Sequence, residues 1–128
     1  MKLVSQREGL ALRATVATAN LAKDQLMKIT GDKTVDKAGA NDHAIGRLVV
    51  PARSANGVGT VETRYKERVS VKFSGNLAAG TYVKLAAVDG TTGESVVAAW
   101  VSGTDAWERL YGVVWVGANG AVGEVLTF

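Results

Sequence analysis

Residues 110–128 decide the fold, and they read Leu110-Tyr111-Gly112-Val113-Val114-Trp115-Val116-Gly117-Ala118-Asn119-Gly120-Ala121-Val122-Gly123-Glu124-Val125-Leu126-Thr127-Phe128. Two runs rich in valine and aromatic residues, 110–116 and 122–128, flank a Gly-Ala-Asn-Gly segment. Valine and aromatic side chains favour strands, whereas glycine and asparagine favour tight turns. The stretch therefore predicts two β-strands joined by a turn.

Short apolar runs and glycine-rich turns continue to alternate toward the N-terminus. Further strands are expected at 25–30, 45–50, 58–65, 68–74, 81–88 and 95–101. Val69, Val71 and Phe73 alternate with polar residues, which is typical of an antiparallel strand with one buried face. No internal repeat is visible, and 128 residues suit one domain. We predict an all-β fold, a small antiparallel β-barrel or sandwich.

The first 24 residues lack the turn signals of the rest of the chain. Apolar residues alternate from Leu10 to Val16, although the alanine and leucine content of residues 10–23 also suits a helix. The apolar positions of residues 1–20 are mostly alanines, which anchor a chain end weakly. We predict an N-terminal arm or extended segment over residues 1–24 and a single β domain over 25–128.

The composition excludes several kinds of site. Cysteine is absent, and His43 is the single histidine, so disulfides, thiol catalysis and cysteine-based metal sites are excluded. No apolar run approaches the roughly 20 residues of a membrane-spanning helix, and residues 1–7 lack the apolar core of a signal peptide. We expect a protein made in the cytoplasm, with no cofactor, no metal and no membrane partner.

Positive charge is concentrated in the first part of the chain. Residues 1–72 hold 13 of the 15 Lys and Arg residues but 7 of the 12 Asp and Glu residues. Such asymmetry is found in proteins that bind nucleic acids or acidic protein surfaces. The basic residues are dispersed, however, and the densest group, Arg64 to Lys72, follows Glu62 and is interrupted by Glu67. Tyr65 is the one aromatic residue within that group, so nucleic-acid binding stays the alternative hypothesis.

Residues for catalysis are sparse. His43 follows Asp42 in a polar loop, and a catalytic triad would need a serine and an acid brought to it. No Gly-x-Ser-x-Gly nucleophile elbow is present, and the carboxylates are scattered along the chain. We predict no enzymatic activity and no small-molecule substrate.

Two of the predicted strands are apolar on both faces. Val113 and Trp115 alternate with Leu110, Val114 and Val116 in one of them. A sheet in a one-domain sandwich buries one face, so the other is covered either within the chain or by a partner. Large aromatic residues are typical of interface anchors. For the partner hypothesis, the interface residues are Trp100, Tyr111, Val113 and Trp115.

Four motifs follow one another in residues 75–128: an Ala-Gly-x-x-Val-Lys strand at 79–84, an Asp-Gly turn at 89–90, the Gly-Val strand at 112–116 and the closing hairpin at 117–125. In these motifs and their order, the second half of the chain resembles the small decoration proteins, also called cement or head-stabilising proteins, of tailed bacteriophage capsids. The segment 102–109 is longer than the usual link, and the basic first half has no counterpart in this family.

The resemblance implies a β-barrel-like domain that binds the outside of the virion capsid without catalysis. Its partners would be the major capsid protein and further copies of the chain, with a homotrimer favoured. A chain terminus would reach over neighbouring subunits, so Lys2, Arg7 and Arg13 are the predicted capsid-contact residues. The alternative from the residues alone is a nucleic-acid-binding β-barrel that uses the basic N-terminal half.

Overall fold

The computed structural model describes residues 9–88 and 91–128. Its chain is almost entirely β-structure, which confirms the predicted fold class. The strands form two closed barrels of five strands each, where the sequence predicted one β domain.

The first barrel contains residues from Leu10 to Thr63. Its strands are β1 (Ala11–Val16), β2 (Leu26–Gly31), β3 (Thr34–Lys37), β4 (Gly46–Val50) and β5 (Gly57–Thr63), in the closed order β1-β3-β2-β4-β5. Leu12, Ala14 and Val16 point into the barrel, as their alternation predicts. Residues 11–16 are therefore a barrel strand, and the boundary expected at residue 24 does not separate two units. Residues 1–8 of the expected arm lie outside the described residues.

The second barrel follows after the short link at residues 64–66. Its strands are β6 (Glu67–Phe73), β8 (Tyr82–Val88), β9 (Ser95–Ala99), β10 (Leu110–Val116) and β12 (Val122–Thr127), in the closed order β10-β12-β6-β9-β8. The two-residue strands β7 (Asn76–Leu77) and β11 (Ala118–Asn119) pair beside it. A 3₁₀ turn at Trp107–Arg109 precedes β10.

Both barrels have the same topology. In each, the first strand pairs in parallel with the third and antiparallel with the fifth, and all other pairs are antiparallel. The register also corresponds position by position. The matching cross-strand pairs are Gly46–Thr63 with Gly112–Thr127, Leu48–Val61 with Val114–Val125, and Ile29–Val35 with Leu85–Val97.

The repeat is visible in the sequence once the barrels are superposed by register. An Ala-Asn-Gly turn followed by Val-Gly-x-Val-x-Thr occurs at 55–63 and again at 118–127. The expectation of no internal repeat is therefore wrong. Ala121 lengthens the second copy of the turn and the connecting loops differ in length, so the repeat has no constant period along the chain.

Two equivalent glycines allow the strands to approach closely. A Cβ atom on Gly46 would lie 2.1 Å from the carbonyl oxygen of Glu62, and a Cβ atom on Gly112 would lie 2.1 Å from that of Leu126. Neither strand can carry a side chain at this point without moving its neighbour. The same requirement for a residue without a side chain therefore applies at equivalent positions of the two barrels.

One of the two apolar clusters spans the junction between the barrels, and the other fills the second barrel. On β10, Val114 points into the second barrel, whereas Val113 and Trp115 point out of it. Val113, Trp115 and Leu126 belong to the same buried cluster as the interior residues of the first barrel. The two-faced strand is therefore covered within the chain. The prediction that Val113 and Trp115 form an interface with another molecule is wrong, because both side chains are buried against the first barrel.

We expect Trp115→Ala to destabilise the whole protein by about 3–5 kcal/mol, the usual effect of truncating a buried tryptophan. Trp115→Phe should cost less than half as much, because the indole Nε1 is buried without a hydrogen-bond partner among the described residues. Urea denaturation followed by circular dichroism measures both. Equal losses for the two variants would contradict this account of the junction.

Gly112→Ala should be strongly destabilising, because its new methyl group meets backbone. Gly31→Ala is the matched control, since a Cβ atom there would lie 3.7 Å from the Thr34 side chain, an ordinary contact distance. Thermal unfolding of the two variants should separate them by several degrees or more. A Gly112→Ala protein as stable as the control would refute the close approach of β10 and β12.

Candidate interaction surfaces

The most exposed large apolar side chain in the described residues is Trp107, which is 75% exposed. It lies in the loop before β10, beside β8. Leu85 and Val88 on β8 and Val101 at the start of the loop are also about half exposed. We call Leu85, Val88, Val101 and Trp107 the Trp107 patch. The loop lies beside Leu85, because Arg109 donates to the Leu85 carbonyl, whereas Val88 lies further along β8. Exposed apolar side chains of this kind are candidates for an interaction site.

Asp105 fixes the loop that carries Trp107. Its carboxylate accepts hydrogen bonds from Lys84 Nζ at 2.6 Å and from the Val101 amide at 2.8 Å. The Arg109 guanidinium lies 3.4 Å from the same carboxylate and also donates to the Leu85 carbonyl at 3.2 Å. The hydrogen bond from Lys84 is the main cause that holds the pKa of Asp105 below its usual value. Trp107 is thus presented on a braced loop, which limits the conformational entropy lost on binding.

The remaining predicted interface residues are not brought together as one surface. Trp100 is partly buried and supports the Trp107 loop, because its Nε1 donates to the Ala106 carbonyl at 2.9 Å. Tyr111 is 41% exposed and lines a different hollow of about 410 Å³ with Val122. Sequence reasoning missed Trp107 because it lies in a polar segment without strand periodicity. The signal available in the sequence was a large apolar side chain within an otherwise polar segment, which indicates an exposed contact residue.

A basic groove lies mainly on the first barrel and extends to Arg68 on β6 of the second. Arg13 projects from the exposed face of β1 and lines a hollow of about 470 Å³ with Leu10, Leu12 and Arg68. Lys33 lines the adjoining hollow, again with Arg13. Glu124 lies 3.2 Å from Arg68 and 3.9 Å from Lys33 and offsets part of this charge. Of the predicted capsid contacts, Arg13 belongs to this groove, and Lys2 and Arg7 lie outside the described residues.

The seam between the barrels contains the single histidine. His43 Nε2 lies 3.2 Å from the hydroxyl oxygen of Tyr65 in the link. The His43 ring packs edge to face against Tyr82 of the second barrel, with the ring centroids 5.0 Å apart. Desolvation, with a smaller contribution from the Arg64 charge, lowers the pKa of His43. Tyr65 is fully buried. It therefore offers no stacking surface to the bases of a nucleic acid.

Among residues 9–88 and 91–128, no group of three or more His, Asp or Glu side chains is placed to hold a metal ion. The described residues include no helix with the length and apolar character needed to span a membrane.

No model of a known protein family matches the chain, and no curated protein matches it significantly.

We expect stability to fall as the pH decreases below about 6.5, the ordinary pKa of histidine. Because the pKa of His43 is lowered in the folded state, the unfolded chain binds this proton first and is favoured as the pH falls. The loss ends once the pH lies below the folded-state pKa. His43→Gln should remove this part of the dependence. Urea denaturation between pH 7.5 and 5 measures it, and parallel losses in both proteins would assign the effect to other groups.

Proposed function

We propose that the protein is a capsid decoration protein, which binds the outer surface of a tailed-phage head and stabilises it by bridging subunits of the major capsid protein. In this proposal the protein is not an enzyme, and it acts in the virion through contacts alone.

The observation that supports the proposal is one continuous body with two candidate contact surfaces of different chemistry, an apolar one on the second barrel and a basic one centred on the first. The shared core of Val113, Trp115 and Leu126 joins the barrels tightly. The Trp107 patch lies on the second barrel, whereas Arg13 and Lys33 of the basic groove lie on the first and Arg68 of the groove lies on the second. A bridge must hold two subunits at once, and a tight junction transmits the load between its two contacts.

The two surfaces suit different parts of the binding process. Exposed cations such as Arg13 accelerate encounter with an acidic surface more than they increase final affinity. A tryptophan held on a rigid loop is typical of the residues that supply affinity. Binding to the assembled lattice and not to free subunits then stabilises the shell by mass action.

Self-association also stays a prediction. The homotrimer follows from the family resemblance, and two of the four residues first assigned to its interface are buried inside the chain. Trp100 and Tyr111 retain accessible surface for such a contact.

The test uses phage heads that lack the protein. Addition of the purified protein should produce co-sedimentation with the heads and raise the temperature at which filled heads release DNA. Arg13→Glu should weaken binding roughly tenfold, equivalent to about 1.4 kcal/mol, whereas Arg53→Glu, which reverses an exposed cation outside the basic groove, is the matched control. Removal of residues 1–8 tests the arm without cutting into β1.

Equal head stability with and without the protein would exclude the decoration function. Tight, strongly salt-dependent binding to duplex DNA in place of heads would instead support the nucleic-acid alternative, because counterion release makes such binding steeply dependent on salt.

A further inference from the structure

The first barrel has a surface that receives the second barrel. Ile29 on β2 lies against Gly80 at the start of the second barrel, where a Cβ atom would lie 3.8 Å from the Ile29 side chain. The Lys33 amide donates to the Trp115 carbonyl at 3.2 Å, and His43 contacts Tyr82. The receiving surface therefore consists of the outer part of β2, the turn after it and the loop before β4.

The Trp107 patch occupies the equivalent place on the second barrel. Ile29 and Leu85 are equivalent because each lies opposite a buried valine, Val35 or Val97, in the matching strand pair. The loops are equivalent as well. Each contains an aspartate that binds a lysine of the second strand of its barrel, Asp42 with Lys28 at 2.9 Å and Asp105 with Lys84 at 2.6 Å.

The equivalent surfaces differ in what covers them. In the first barrel, Ile29 is packed against the shared core. In the second, Leu85 is 46% exposed and Val88 is 55% exposed. The loop has also become longer, since Gly46 follows Asp42 by four positions and Gly112 follows Asp105 by seven. The additional length contains the 3₁₀ turn that carries Trp107.

We propose that the Trp107 patch is a second receiving surface, which binds the outer face of an antiparallel strand pair in a partner β domain. The partner face carries branched aliphatic or aromatic side chains at the positions where β10 and β12 carry Val113, Trp115 and Leu126. The identification of the partner as a capsid subunit rests on the proposed function. The binding geometry is inferred from the contact between the two barrels of this chain.

A second copy of the chain is disfavoured as the occupant. The positions of the first barrel that correspond to Val113, Trp115 and Leu126 are Arg47, Val49 and Glu62. Arg47 lies 2.7 Å from Asp24 and 3.3 Å from Glu62. Burial of this charged group against Trp107 would require its desolvation, which is unfavourable compared with burial of apolar side chains. The first barrel therefore does not present the face that the patch fits.

The same comparison supplies the test. Arg47→Val, Val49→Trp and Glu62→Leu together give the first barrel the face that β10 and β12 present. Since the receiving surface and the new face lie on different barrels, the contact is heterologous and adds one copy after another. In sedimentation velocity, the triple variant should form larger species than the wild type as its concentration rises.

Trp107→Glu added to the triple variant should restore the sedimentation of the wild type. Val122→Glu is the matched control, because Val122 is an exposed apolar residue of the same barrel outside the patch. It should leave the association unchanged. A triple variant that sediments like the wild type, or association that persists with Trp107→Glu, would overturn the inference.

Head binding provides a second measurement if the triple variant fails to fold. Trp107→Glu in the otherwise wild-type chain should weaken binding to heads at least tenfold, and Val122→Glu should not. Unchanged binding of Trp107→Glu overturns the inference and leaves the decoration function in place. If even the wild type does not bind heads, the proposed function fails. The inference is then tested with a double variant, Arg47→Val with Glu62→Leu, whose self-association is measured by sedimentation velocity. Addition of Trp107→Glu should abolish that association, and association that persists would overturn the inference.

Discussion

The packing of Val113, Trp115 and Leu126 against the first barrel is the contact on which the rest of the structure depends. These side chains extend from the outer face of β10 and β12 and pack against the first barrel, in one buried cluster with its interior residues, and none retains appreciable accessible surface. The contact orders the short link, places Tyr65 and His43 in the seam and fixes the position of each exposed surface relative to the other. Loss of this contact would leave two small barrels, each with a large apolar face in water.

Two copies of one topology have acquired different surfaces. Where the second barrel has Val113 and Leu126, the first has Arg47 and Glu62, so one face is buried and the other is hydrated. Where the first barrel packs Ile29 against its neighbour, the second exposes Leu85 beside a lengthened loop. Because of this asymmetry, the outer face of β10 and β12 is buried within the chain, whereas Leu85 of the same barrel stays exposed.

Much of the secondary structure follows from local sequence. The strands at 26–31, 46–50, 67–73, 82–88 and 110–116 lie within two residues of their expected limits, because valine-rich runs between glycine-rich turns leave few alternatives. Strand β3 was missed. It has four residues, Val35 alone is buried, and its flanking residues are polar, so its local sequence does not indicate a strand. Pairing with β1 and β2 stabilises the extended conformation instead.

The sequence by itself determined the all-β class, the absence of cysteine chemistry and the presence of a strand with two apolar faces. Those properties depend on composition and on the two-residue period of a strand, both of which are local. The tertiary structure alone decided that the second face is covered by the same chain, that residues 11–16 close a barrel and that Trp107, not Trp115, meets solvent. Each depends on contacts between residues far apart in the chain, and a period of two cannot specify what lies against either face.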